Sequence, residues 1–152
     1  MQIFTKYAAP EADPGTWFTY APGVRFCLRR IPAWKVREIV KAHTDKVRDK
    51  SGKVTGEKRD DEAIGLAIHS LAIKDSEGMA VGIGDDATAE EMGKLLGMTL
   101  AKGDAPALDG KWSGDVAWAI LRDFADLAVW VGEKHKLLSV QAVEDEEGKD
   151  KA

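Results

Sequence analysis

The stretch DDEAIGLAIHSLAIKDSEG, residues 60–78, decides how the rest of the chain is read. Ile64, Ile68 and Leu71 fall at i, i+4 and i+7, so a helix puts them on one face. Asp60 and Asp61 stand where a helix N-terminus needs capping oxygens and favours negative charge. Lys74, Asp75, Ser76 and Glu77 are polar, and Gly78 suits a left-handed terminator. The pattern predicts a helix over 60–73 that closes in an abrupt polar turn. A basic, strand-like segment precedes it and an acidic, helical one follows. The remainder is expected to pack on its apolar face.

Upstream, residues 1–16 are rich in turn signals at Pro10, Pro14 and Gly15, with Ile3 and Phe4 as a candidate strand. Residues 17–20, WFTY, form a short aromatic strand. After the turn residues Ala21, Pro22 and Gly23, residues 24–29 alternate Val24, Phe26 and Leu28 with Arg25, Cys27 and Arg29. That period of two marks a sheet with one wet face, and the short spacing predicts a hairpin. A lone hairpin is marginal in water, so it should lean on a helix or another strand. Past Pro32, the residues Val36, Ile39, Val40 and His43 recur at helical spacing over 33–44. Residues 45–59, DKVRDKSGKVTGEKR, are charged, with Val47 and Val54 the only large apolar residues. They read as a surface loop or a hairpin around Ser51 and Gly52.

Downstream, residues 79–84 read as a short extended piece. Thr88 and Glu91 have capping-box spacing and open a helix carrying Met92, Leu95, Leu96 and Leu100. Ser113 is a candidate cap for one long helix over about 114–136. Asp115, Arg122, Asp126 and Glu133 form its polar stripe, and a wide apolar arc covers much of the rest. Such an arc exceeds what one neighbour requires, so the helix is central or offers part of itself to another chain. The expected architecture is α+β: a small, mainly helical domain over 1–140 with an N-terminal β-hairpin and three to four helices, followed by a disordered charged tail over 141–152.

Charge is unevenly spread. Residues 1–59 carry 13 Lys/Arg and 6 Asp/Glu, whereas 60–152 carry 9 and 20. Such asymmetry suits a nucleic-acid face, or two halves or two subunits that attract each other. One cysteine rules out an internal disulfide, and MQIFTKYAAP has neither the charged nor the apolar region of a signal peptide. Both point to a reducing cytoplasm. No stretch approaches the ~18 apolar residues of a membrane helix.

Catalytic chemistry has few candidates. His43, His69 and His135 are the only histidines, and none has a partner at metal-ligand spacing. Cys27 as a nucleophile needs a base, for which His43 is the one candidate, and an electropositive pocket. Gly82 and Gly84 before a capped helix lack the third glycine or the Lys-Ser/Thr of a phosphate loop, and Asp85 and Asp86 repel phosphate. The pairs Asp123/Asp126 and Glu90/Glu91 read as solvent-face charges. No enzyme, cofactor or metal is expected.

The order of these features resembles the tail assembly chaperone family of long-tailed bacteriophages and prophages. The resemblance rests on a strand ending RRIP (29–32), a basic helix AWKVREIVKAHT, a charged loop, the acidic-capped DDEAIGLAIHSLAIKDSEG, the Thr-capped TAEEMGKLL and a final aromatic helix. It spans roughly 14–131 and is one of order and character. Where the family often has a tryptophan-rich turn, this chain has Ile73, Lys74 and Asp75. The resemblance implies a non-enzymatic cytoplasmic protein that holds the tape measure protein before the tail tube polymerises, with tail tube subunits as a further partner. Expected contacts are Trp118, Leu121, Leu127, Trp130 and Val131, with Arg25 and Arg29 steering an acidic partner. The same apolar surface could instead build a homo-oligomer. The alternatives are a small nucleic-acid-binding module using Arg25, Arg29, Arg30, Lys35, Arg37 and Lys41, or a structural minor tail component.

Overall fold

The computed structural model describes residues 14–150, with side-chain surroundings given for 14–138. The candidate strand at Ile3 and Phe4 lies outside the described residues. Ten elements follow in chain order. They are β1 (Thr16–Ala21), β2 (Val24–Leu28), α1 (Ala33–Ala42), β3 (Thr44–Arg48), β4 (Val54–Arg59), α2 (Asp61–Ala72), β5 (Ile73–Glu77), α3 (Asp86–Leu96), α4 (Gly114–Asp123) and α5 (Ala125–Asp150). The chain is α+β, as the alternation of strand and helix periods predicts.

The central helix forms as expected, with Asp60 accepting from the Ala63 amide at 3.1 Å. Its ending differs. Instead of a polar turn, Ile73 enters β5, which pairs antiparallel with β2 to make a three-stranded sheet ordered β1-β2-β5. Lys74, Asp75 and Glu77 disguise this strand in the sequence. Only Ile73 and Ser76 are buried, and Ser76 is polar. Gly78 ends the strand, not the helix. It adopts φ +76° and passes so close to Gly23 that a Cβ would lie 2.1 Å from the Gly23 carbonyl oxygen.

In the β1–β2 hairpin Phe18 opposes Phe26 and Trp17 opposes Cys27. The Phe26 face turns inward, as the alternation predicts. Tyr20, Trp112 and Trp130 surround the Phe26 ring at centroid distances of 5.9, 5.8 and 5.7 Å. Around this knot Leu28, Leu108, Val116, Ile120, Leu121 and Val131 are almost fully excluded from solvent. The core therefore lies between the three-stranded sheet and helices α2, α4 and α5.

Residues 79–84 are extended, as read. The Val81 and Ile83 amides donate to the Pro106 and Asp104 carbonyls at 3.1 and 2.8 Å. In α3 the cap is Asp85, which accepts from the Thr88 amide at 2.6 Å, and not Thr88. Aspartate is at least as good an N-cap as threonine, and its position three residues upstream puts Thr88 at N3. Ser113 caps α4 as expected. The single long helix does not form. It breaks at Phe124 (φ −117°, ψ 82°), giving α4 and α5, with neither proline nor glycine to signal the break. Beyond Leu138 the backbone of α5 stays helical to Asp150, where the sequence reading has a disordered tail. The segment QAVEDEE has good helix formers and no proline, so the helix can propagate through it.

Candidate interaction site

The break at Phe124 changes which residues can meet a partner. Of the five expected contacts, Leu121, Leu127 and Val131 are 2%, 3% and 0% exposed and belong to the core. Trp118 and Trp130 are partly buried, and Trp130 packs edge-on to Tyr20 at 5.1 Å. The wide apolar arc is consumed internally, because two helices folded back over α2 and the sheet bury it in two directions. Arg25 and Arg29 both have partners within the chain. The Arg25 guanidinium pairs with Glu77 across the β2–β5 ladder and stacks over the Trp17 ring at 4.9 Å. Arg29 Nε donates to the Leu71 carbonyl at 2.9 Å and its backbone amide donates to the Ala72 carbonyl at 2.9 Å. Both bonds satisfy carbonyls that the end of α2 leaves open.

A different apolar surface remains open. Phe124 is 48% and Val129 62% exposed, on the outer side of the α4–α5 corner. A groove of about 360 Å³ runs from this corner along α2, lined by Leu66, Gly65, Ala125, Ala128 and Val129, with Asp61, Glu62 and Arg122 at its polar rim. Arg122 is held in place by Glu91 of α3 at 2.7 Å and by Asp123 at 3.2 Å. These two carboxylates therefore act on the corner through a shared cation. Exposed pairs of this kind are worth at most about 1 kcal/mol each.

His69 stands in the wall of this groove and faces His135 of α5, ring centroids 6.3 Å apart. Gly132 lets it fit, since a Cβ there would sit 2.8 Å from the His69 ring. Burial lowers the pKa of both imidazoles, and for His135 the neighbouring His69 lowers it further. His135 Nε2 is buried without a hydrogen-bond partner among the described residues. Two neutral rings at a helix seam fit these surroundings. His43 lies elsewhere, as the C-cap of α1. Cys27 is buried in β2, with its Sγ donating to the Pro14 carbonyl at 3.6 Å. Among the described residues no group of three His, Cys, Asp or Glu could hold a metal ion.

Two features escaped sequence reasoning. The first is a carboxylate clamp opposite β5. Asp109 accepts from the Ser76 hydroxyl and the Gly78 amide at 2.8 Å each, and from the Met79 amide at 3.2 Å. Asp75 reciprocates by accepting from the Gly110 amide at 2.8 Å, and Trp112 Nε1 donates to the Ser76 hydroxyl at 2.8 Å. Desolvation works to raise the Asp109 pKa, but these donors prevail and hold it below the usual carboxylate range. The spacing of Ser76 and Asp109 offers no periodic signal. The second is Trp34 on α1, which is 54% exposed and reads in the sequence as one apolar position among several.

No helix among the described residues is long and apolar enough to cross a membrane. Comparison with protein-family models, with curated proteins and with solved structures finds no match.

Proposed function

We propose that this chain is a non-enzymatic, cytoplasmic tail assembly chaperone of a long-tailed phage or prophage, binding the tape measure protein and, as a further partner, tail tube subunits. The observation that carries the reading is the groove beside α2. It joins small and aliphatic residues to the exposed Val129, on a corner held by Arg122 where Phe124 is also exposed. A holder of a long apolar helical chain needs such open surface, shallow enough to release and repeated along the partner for avidity. The order of sequence features described above supports the same reading.

The nucleic-acid alternative is weakened because Arg25 and Arg29 are engaged within the chain. Co-expression tests the proposal. A very long, tape-measure-like protein encoded beside this one should be soluble with it and insoluble without it. Val129→Asp should lower recovery of the complex while leaving the fold intact. Solubility that does not depend on this chain, with no complex recovered, ends the proposal.

A further inference from the structure

The strands β3 and β4 form a separate two-stranded sheet between α1 and α2, closed at its base by the Asp60 amide donating to the His43 carbonyl at 3.0 Å. One face of this arm meets α1 across a groove of about 520 Å³. Val36 and Val40 are its apolar part, and Arg37, Lys41, Thr44, Lys46 and Glu57 complete it. Val36 and Val40 are partly buried, while the charged residues are exposed. Among the described residues, Arg37, Lys41 and Lys46 make no ion pair, in contrast to Lys35, which reaches Glu38 at 3.5 Å. The groove thus has an apolar strip and three unspent positive charges facing one carboxylate.

Its complement is present in the same chain. Leu137, 46% exposed, and the aliphatic residues of 140–143, VQAV, lead into residues 144–150, EDEEGKD, which carry five carboxylates against one lysine. The backbone there is helical, continuing α5. The main contacts of α5 are with α2, α4 and β2, away from the arm. We propose that the groove between α1 and the arm receives the acidic C-terminal end of α5 from a second copy of this chain. The contact is heterologous, basic groove to acidic end, so it can repeat from copy to copy. Exposed charge pairs are individually weak, so the association is salt-sensitive and of modest affinity. It stands apart from the groove beside α2 and does not depend on the chaperone reading.

Charge reversal in the full-length protein tests this, read by sedimentation velocity across a concentration series. The wild type should self-associate at ~50 mM salt and dissociate towards monomer at ~500 mM, where the screening length falls to a few ångströms. K41E/K46E should weaken association by about tenfold, and E146K/E147K by a similar factor. Mixing the two variants should restore it, because each then supplies the charge the other lacks. All four sites avoid the described core, so both variants should keep wild-type circular dichroism. A wild type that stays monomeric at low salt overturns the proposal. So does association that neither reversal weakens, or that the mixture fails to restore. Arm cations needed only to capture a different acidic protein would likewise exclude the second copy as occupant.

Discussion

The molecule contains two β-hairpins of similar length with opposite fates. The β1–β2 hairpin buries Phe26, Cys27 and Leu28, gains β5 as a third strand and carries the aromatic knot. The β3–β4 arm pairs only with itself, and every residue from 45 to 59 is exposed. Both obey the same backbone rules, and both turn through a glycine at positive φ. Strand pairing alone is therefore not what holds either one. A two-stranded ribbon is marginal without a hydrophobic face, so the arm's stability is borrowed from its base at His43 and Asp60, and from its turn. In that turn Asp49 accepts from the Ser51 and Lys53 amides at 2.9 and 3.0 Å.

The largest effect expected is loss of the first hairpin's anchor. Phe26→Ala removes the ring that Tyr20, Trp112 and Trp130 surround. It should cost about 4 kcal/mol in urea denaturation, the ordinary range for a buried phenylalanine. A loss below about 1 kcal/mol would mean that the aromatic knot is not the centre of the core.

Two glycines with nearly the same φ separate conformational cost from crowding. Gly78 (φ +76°) lies against the Gly23 carbonyl, whereas Gly52 (φ +85°) in the arm has open space around it. Gly78→Ala should cost about 3 kcal/mol, because strain of the left-handed backbone adds to a forced shift of the hairpin turn. Gly52→Ala should cost about 1 kcal/mol, strain alone. Equal losses would show that the close approach at Gly78 relaxes freely.

The seam between α2 and α5 should make stability fall with acid. Both histidines have their pKa lowered in the fold, so the unfolded chain binds more protons over the window between. Their contribution is complete above the unfolded value near ~6.5 and is lost as pH falls through the folded values. The urea midpoint should therefore drop between pH ~7.5 and ~5.5, a window above the range where carboxylates titrate. His69→Gln should flatten that slope. Asp61, Glu62 and Arg122 are the charged groups in the adjoining groove. A midpoint independent of pH, or an unchanged slope in the variant, removes the histidine account.

Much of this layout was legible in the sequence. The inward alternation of Val24, Phe26 and Leu28, the Asp60 cap and the helix behind it all follow from local periodicity, and the structure has them. What was missed depends on tertiary contact. β5 looks like a polar turn because its side chains are chosen for hydrogen bonds to the 109–112 segment and not for an apolar face. The break at Phe124 has no composition signal at all. It moved the expected contact surface, since Leu121, Leu127 and Val131 fall on the core side of the bend and Val129 on the open side. A helical wheel drawn through 114–136 assumes one axis, and after Phe124 the phase no longer applies.

The smallest effect should come from the arm's own apolar residues. Val47 and Val54 are 44% and 42% exposed, so each is only about half removed from water on folding. At about 25 cal/mol per Å² of apolar area buried, half-burial of a valine is worth about 1 kcal/mol, so Val47→Ser or Val54→Ser should change global stability by less than that, because the arm can open on its own. The same two changes should still be visible locally. Amides of β3 and β4 open without disturbing the core, so their hydrogen exchange should already be fast in the wild type and faster in the variants. Exchange in β2 and β5 should stay slow in all three proteins. If either serine variant instead lowers global stability as much as Phe26→Ala, the arm is part of the core's cooperative unit, and the contrast between the two hairpins does not hold.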